Sequence, residues 1–226
     1  MLKLYHSPTS PNSRRVWIAL LEKGLEFELV EVKLDGEQFS PEFIEINPFH
    51  HVPVLVVDDD FRIVESLAIL DYLEAKYPIP ALMPSDAQVI ASVRMVAMIT
   101  VNELMTAIAP LFSIFLGLPI KEPEKIKIAL DKVSTVLTFL ESLLGDNLYF
   151  AGEHLTLAEV VAGTVIPQLS SMSVSLDDYP KLNIWCERLM KRAAWIITQP
   201  SLEALEVVKT RHKVAIAQQQ VSKNNL

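Results

Sequence analysis

The stretch INPFHHVPVLVVDDDFRIVESLAILDYLEAKYP, residues 46–78, decides the fold of this chain. Val52–Val57 is strongly β-prone, three aspartates at 58–60 favour a turn, and Phe61–Val64 returns as a second strand. Glu65-Ser66 then opens a helix whose apolar residues recur at helical spacing, and a Pro-Ile-Pro sequence ends it. The stretch therefore predicts a β-hairpin followed directly by a helix.

Upstream of this stretch, the chain alternates between strand and helix signals. A short apolar run precedes a Ser/Pro/Thr/Asn loop, and a helix and a second apolar run follow the loop. Such a strand-helix-strand order is typical of a βαβ unit with parallel strands. The predicted elements are a strand over Leu2–Tyr5, a helix from Ser13 to Lys23, a strand over Phe27–Val32 and a short helix from Ser40 to Asn47.

Downstream of residue 78 there is no further strand signal. Residues 78–86 contain three prolines, which is typical of a linker, and long helical patterns follow as far as Val208. We therefore predict two domains, one of mixed α/β class and one all-helical. The predicted ranges are an α/β domain over 1–80, a linker over 81–88, a helical domain over 89–210 and a polar tail that frays over 211–226.

Composition and charge exclude several classes of partner. The 226 residues include 20 basic and 28 acidic side chains, a net charge of −8. Because such a chain lacks a basic surface for phosphates, we expect neither nucleic acid nor a membrane as partner. The uncharged run between Glu103 and Lys121 is interrupted by prolines and favours a core helix. Cys186 is the only cysteine, and no signal peptide is visible, so we expect a cytoplasmic protein.

Three local features could bind an anion or a peptide. The loop from Ser7 to Ser13 joins a strand to a helix, where hydroxyls and helix N–H groups favour an anion, although such residues often only cap a helix. Pro53 starts a strand, where a cis bond would expose backbone groups, although most X-Pro bonds are trans. Glu65-Ser66 begins a helix and could receive a carboxylate, although a cap again explains it. Taken one at a time, these features favour structural roles.

Together, the three features resemble one family. LYHSPTSPNSRRVWIALLEKGLEFELVEV (4–32) is similar to the first βαβ unit of cytosolic glutathione transferases. Residues 46–78 resemble their Asn-Pro, cis-proline and Glu-Ser segment, and LTLAEVVAGTVI (155–166) resembles their capping-box helix. The resemblance covers nearly all of residues 1–210 and implies a thioredoxin-like first domain, with a mixed four-stranded sheet, before the helical domain.

The resemblance also implies how glutathione would bind, as the co-substrate and with no metal. The γ-glutamyl carboxylate would bind at the start of the Ser66 helix, and Glu65 would take the amine. Val52, held before a cis Pro53, would pair its backbone with the cysteinyl residue as an added strand does.

For the thiol, the serine-dependent classes place a hydroxyl four residues before an arginine, and Ser10 and Arg14 fit that spacing. A free thiol with a pKa of about 8.5 is only about 3% thiolate at pH 7, so the hydroxyl has to stabilise the anion. A drop of two pKa units needs roughly 2.7 kcal/mol. We assign this catalytic role to Ser10, with Ser13 or Thr9 as alternatives.

The chain departs from many members at His50-His51, where they have a glycine and a lysine. By its position, His51 would hold the glycyl carboxylate, although His50 is an alternative and both could be surface residues. Because an imidazole is mostly neutral at pH 7, we expect the affinity for glutathione to fall as the pH rises.

The helical domain would supply the pocket for a small apolar electrophile. Met105, Ala109 and Phe112 are the predicted lining residues, although each could equally belong to the core. Phe49 stands where some classes place an aromatic residue that enters the partner subunit, so we predict a homodimer with Phe49 at its interface.

The leading function is therefore transfer of glutathione to an electrophile. The alternatives are a binding module without catalysis and a glutathione-dependent isomerase, dehalogenase or peroxidase. The Ser-Ser-Cys signature of the zeta class is absent from the first loop, which disfavours the isomerase. The same loop holds no cysteine, so a disulfide reductase is disfavoured as well.

Overall fold

The computed structural model describes residues 1–58 and 60–224. Asp59 of the predicted aspartate turn lies outside the described residues, as do Asn225 and Leu226 of the predicted tail. The strands are β1 (Leu2–His6), β2 (Phe27–Glu31), β3 (Val54–Val57) and β4 (Phe61–Val64). The helices are α1 (Pro11–Glu22), α2 (Pro41–Ile46), α3 (Ser66–Lys76), α4 (Ala87–Ile99), α5 (Met105–Ile108), α6 (Phe112–Phe115), α7 (Pro123–Leu144), α8 (Leu157–Ala162), α9 (Pro180–Met190), α10 (Ala193–Ile197) and α11 (Leu202–Asn224).

The four strands form one mixed sheet in the order β2-β1-β3-β4, which confirms the predicted fold class. β1 pairs in parallel with β2 and antiparallel with β3, and β3 and β4 form the predicted hairpin. Every residue of β3 is buried because both faces of the sheet are covered. Leu55 and Val57 join the main core, whereas Val54 and Val56 pack in a second cluster with Phe43 of α2.

The sheet topology brings the three predicted features to one edge. Tyr5 near the end of β1 pairs with Val54 at the start of β3, which in turn pairs with Val64 at the end of β4. The loop after β1, the Val52-Pro53 bond before β3 and Glu65 after β4 therefore all leave the sheet at the same end.

The second half of the described chain is helical, as predicted. α8 is buried along its whole length and begins with the predicted capping box. In this box the Glu159 carboxylate accepts hydrogen bonds from the backbone N–H and the hydroxyl of Thr156. The helix that starts at Ala87 is broken by a wide turn over Thr100–Leu104 and by Pro110. The run Ala87–Phe115 is long and apolar enough to span a membrane by length and composition alone, a test that core helices of soluble proteins also pass.

The last predicted segment begins inside a helix. The sequence predicts a polar tail that frays from Arg211, and in the structure α11 extends from Leu202 to Asn224. Its first half supplies Leu205, Val208 and Arg211 to a cavity between the two domains, so the chain beyond Val208 contributes to the site described next.

Candidate active site

Two neighbouring cavities lie around the loop after β1. The loop cavity, of about 570 Å³, is lined by Ser10, Phe49, His50, His51 and Val52 together with α11 side chains. The interdomain cavity, of about 330 Å³, is lined by Ser10, residues of α6 and α11 and the 166–172 turn. Ser10 lines both cavities, as do Leu34, Arg211 and His212, so these residues lie where the two volumes adjoin.

Ser10 caps α1 and still has a proton to donate. Its Oγ accepts a hydrogen bond from the Ser13 backbone N–H at 3.3 Å, and Pro11 occupies the first helical position. A hydroxyl has one donor and two acceptor positions, and this cap uses it only as an acceptor. Capping and donation to a thiolate are therefore compatible at Ser10.

The alternatives to Ser10 are placed differently. Ser13 is completely buried, and its Oγ accepts a hydrogen bond from the Ser7 backbone N–H at 3.3 Å. Thr9 lines the interdomain cavity but lies outside the lining of the loop cavity. Of the three candidates, only Ser10 borders both cavities.

The segment before β3 is held by Asn47, a residue whose role the sequence did not reveal. Asn47 is buried, its Nδ2 donates to the His51 carbonyl at 2.7 Å and its Oδ1 accepts from the Phe49 backbone N–H at 3.0 Å. The Val52-Pro53 bond that follows is cis, as the resemblance implies. Asn47 therefore fixes the loop that presents Phe49, His50 and His51 to the cavity.

The rings of His50 and His51 differ in the contacts that they make. The His50 ring lies 3.2 Å from the Gln38 carbonyl through Nδ1, packs against Phe39, and has a left-handed backbone with φ of 59°. His51 is exposed, and its described hydrogen bond uses the backbone carbonyl only. The His51 ring is thus the one left available for a ligand.

Glu65 and Ser66 stand at the start of α3, as predicted. Glu65 is exposed and has a φ of 70°, an unfavourable region for a side chain that is found most often at functional sites. Ser66 is 7% exposed, and its hydroxyl accepts a hydrogen bond from Arg15 Nη1 at 3.4 Å.

Two adjacent arginines of α1 are buried without a counter-charge. Neither Arg14 nor Arg15 forms an ion pair with any described residue, and burial lowers the pKa of each to about 10. Arg15 also contacts Met105 Sδ at 3.4 Å, while its Nε has no hydrogen-bond partner among the described atoms. The sequence signal for this pair is two cations inside an apolar helix with no acidic residue one turn away.

The three residues predicted to line the electrophile pocket are placed differently. Phe112 lines the interdomain cavity, whereas Met105 and Ala109 are not among its lining residues. Met105 contacts Arg15, and Ala109 is exposed in the turn that follows α5. Helical periodicity alone did not show that the helix breaks before Phe112.

Two other kinds of reactive group would be a metal-binding cluster and the Cys186 thiol. Among residues 1–58 and 60–224, no group of three or more His, Cys, Asp or Glu side chains could hold a metal ion. Cys186 is buried in α9, and burial raises the pKa of its thiol to about 12.

Comparison with known proteins identifies the family. The model of the glutathione S-transferase N-terminal domain matches residues 4–89, and that of the C-terminal domain matches residues 100–193. The chain therefore belongs to the glutathione S-transferase family.

The relatives include proteins named as isomerases and proteins named as transferases. The chain is 32% identical over 202 residues to maleylacetoacetate isomerase of Rattus norvegicus, covering 87% of this chain and 91% of that one. It is 32% identical over 210 residues to glutathione S-transferase D7 of Drosophila melanogaster, covering 91% and 90%. A transferase homologue from Sulfitobacter with bound glutathione superposes with a TM-score of 0.75 at 27% identity, over 88% of this chain and 97% of that one.

Proposed function

We propose that this protein is a glutathione transferase that activates the glutathione thiol with Ser10 and conjugates it to small electrophiles of largely apolar surface. The observation that carries the proposal is the position of Ser10 between the two cavities. Glutathione in the loop cavity would place its sulfur beside the Ser10 hydroxyl. An electrophile in the interdomain cavity would then lie on the other side of the same hydroxyl.

The chemistry needs only the groups at this junction. The thiol loses its proton to solvent, and the Ser10 hydroxyl donates to the sulfur anion, which lowers the thiol pKa. The thiolate then forms a C–S bond with the electrophilic carbon, and a leaving group departs with the electron pair of its own bond. Holding both reactants in adjoining cavities adds the advantage of proximity.

The remaining contacts to glutathione follow the sheet edge. Val52 would pair its backbone with the cysteinyl residue, Ser66 and the start of α3 would bind the γ-glutamyl carboxylate, and Glu65 would bind the amine. The buried charge of Arg15 behind Ser66 supports this placement, because a carboxylate there would supply the missing counter-charge.

We propose in addition that the protein is a cytoplasmic homodimer. Phe49 supports the dimer because its side chain is 60% exposed on a loop that Asn47 holds rigidly. Sedimentation of the wild type and of Phe49→Ser tests this: we expect a dimer that the substitution weakens, and a wild-type monomer contradicts it.

A glutathione-dependent isomerase is the second candidate, and the 32% identity to the rat isomerase favours it. The two activities differ in net consumption of glutathione, because conjugation consumes the thiol whereas isomerisation regenerates it. Thiol consumption should be followed with an aryl chloride, an isothiocyanate and an organic hydroperoxide. We expect enzyme-dependent loss of thiol that falls at least about tenfold in Ser10→Ala. Binding of glutathione with no turnover of any substrate would instead identify a binding module.

A further inference from the structure

The interdomain cavity combines apolar walls with basic side chains. Phe112, Phe115 and Met172 form much of the wall, and Arg14, Arg211 and His212 supply the nitrogen atoms. No aspartate or glutamate occurs among the described residues that line it. A cavity built only for neutral apolar molecules has no need of the two arginine cations.

Arg14 is the most informative of the three. Its side chain is 3% exposed, its Nε donates to Thr198 Oγ1 at 3.1 Å and its Nη2 donates to the Trp195 carbonyl at 3.2 Å. No hydrogen bond from Nη1 to any described residue exists, and no ion pair neutralises the guanidinium. Burying an unpaired charge costs several kcal/mol. The two fixed bonds hold the fork in place while one nitrogen remains for a ligand.

Arg211 adds a second cation from α11. It is half-buried, lines both cavities, and forms no hydrogen bond or ion pair with the described part of the chain. Arg211 also lines a third depression, together with Glu31, Asp35 and Glu203, and forms an ion pair with none of them. Those three carboxylates are not among the residues that line the interdomain cavity.

His212 contributes shape to the cavity. Its Nδ1 lies 2.9 Å from the Val208 carbonyl, and its ring meets Phe112 edge-on at 5.2 Å between centroids. This contact joins the basic side of the cavity to its aromatic wall. A ligand with a flat apolar body and an acidic group at one end would satisfy both sides.

We propose that the electrophile taken by this protein carries a carboxylate or similar acid on its apolar body, with the acid bound by Arg14 and Arg211. The inference rests on the proposed transferase function and narrows its substrate class. An arginine fork suits a carboxylate because it offers parallel N–H donors with a fixed charge. Both carboxylates of glutathione have other predicted sites, at Ser66 and His51, so neither is needed at Arg14.

Binding of finished conjugates tests the inference independently of turnover. The two probes are the nitrophenyl conjugate of glutathione with a ring carboxylate and its neutral carboxamide counterpart, each titrated calorimetrically into the full-length protein. We expect the carboxylate conjugate to bind at least about tenfold more tightly, which is about 1.4 kcal/mol. Equal affinities in the wild type would overturn the inference.

Variants locate the preference. Arg14→Met should bring the ratio of the two dissociation constants to about one, and Arg14→Lys should retain part of the preference because it keeps the charge. Arg211→Gln should reduce the ratio about threefold, and it serves as the second variant if Arg14→Met fails to fold. Lys125→Gln, an exposed cation paired with Glu122 outside this cavity, is the matched control and should leave the ratio unchanged. A ratio unaltered by both arginine substitutions would contradict the assignment.

Rates with the matching aryl chlorides separate this inference from the proposed function. In that reaction the thiolate sulfur bonds to the ring carbon and chloride leaves with the electron pair. A carboxylate preference in binding without turnover of either chloride supports an acid-binding site at Arg14 and Arg211 and overturns the transferase function. Turnover of both chlorides, with equal binding of both conjugates, supports the transferase function and overturns the inference.

Discussion

The guanidinium of Arg15 donates a hydrogen bond from Nη1 to the Ser66 hydroxyl at 3.4 Å, joining α1 to the start of α3. This pair is buried, and no carboxylate of the described chain neutralises Arg15. Free protein therefore retains an uncompensated cation directly behind the predicted γ-glutamyl site. The arrangement implies that a charge unfavourable for folding is favourable for binding.

Replacing Arg15 should change stability and affinity in opposite directions. Arg15→Met removes a desolvated charge, so we expect the unliganded protein to keep or increase its free energy of unfolding. The same substitution removes the counter-charge for the γ-glutamyl carboxylate, so the Kd for glutathione should rise about tenfold, or about 1.4 kcal/mol. Denaturant unfolding and calorimetric titration measure the two effects. A less stable protein with unchanged affinity would show that Arg15 is purely structural.

Lys23 should be essential to the packing of α1 against the end of α3 and the segment that follows it. Its Nζ, completely buried, pairs with Glu74 at 2.6 Å and donates to the carbonyls of Tyr77 and Pro80 at 2.8 and 2.9 Å. Lys23→Met leaves a carboxylate and two carbonyls without their donor, which should cost about 3 kcal/mol in denaturant unfolding. Lys76→Met, an exposed control on α3, should cost less than about 0.5 kcal/mol. A loss below about 1 kcal/mol for Lys23→Met argues against this role.

Glu159 should give the fold a dependence on pH. Its carboxylate accepts hydrogen bonds from Phe150 and Thr156, but burial raises the pKa of the group. Because the folded state then binds the proton more tightly, the stability from Glu159 is fully present below the unfolded pKa of about 4.3. That contribution is lost as the pH rises through the raised pKa.

Substitution of Glu159 isolates this contribution. Glu159→Gln cannot titrate and turns an amide towards backbone donors, so it should cost about 1 to 3 kcal/mol near pH 4. The difference from the wild type should shrink between pH 4 and pH 7 in unfolding experiments at each pH. The exposed control Glu153→Gln should stay within about 0.5 kcal/mol throughout. A difference for Glu159→Gln that grows with pH would have the wrong sign.

The two histidines can be separated by single substitutions. If the His51 ring holds the glycyl carboxylate, His51→Gln should raise the Kd for glutathione in calorimetric titration about threefold to tenfold. His50→Gln, whose ring is engaged with the Gln38 carbonyl, should leave the Kd unchanged. The opposite pattern would reassign the role to His50.

Local sequence signals predicted most of the sheet and its edge. The β-branched run before Val57, the turn and the helix start at Ser66 each depend on neighbouring residues, so the strand, the hairpin and the start of the helix could be derived directly. The cis Val52-Pro53 bond is different, since its preference from sequence alone is for trans, and only the family resemblance implied it.

Features that depend on contacts between distant parts of the chain could not be predicted from the sequence. Arginine side chains are expected at the surface, and the burial of Arg14 follows from contacts with Thr198 and Trp195, far away in the chain. Residues 211–224 likewise belong to helix α11 although their composition is polar. The contact between Met105 and Arg15 could not be predicted either, because periodicity shows which face of a helix is apolar but not which neighbour covers it.

The central claim, activation of the thiol by Ser10, is tested most directly by titrating the ultraviolet absorbance of the thiolate in enzyme-bound glutathione. The control is Thr9→Val, which alters the neighbouring hydroxyl. We predict a bound thiol pKa about two units below the free value of about 8.5 in the wild type and in the control. In Ser10→Ala the pKa of the bound thiol should rise towards the free value by at least about one unit, or about 1.4 kcal/mol. A bound pKa that is the same in the wild type and Ser10→Ala would contradict the account.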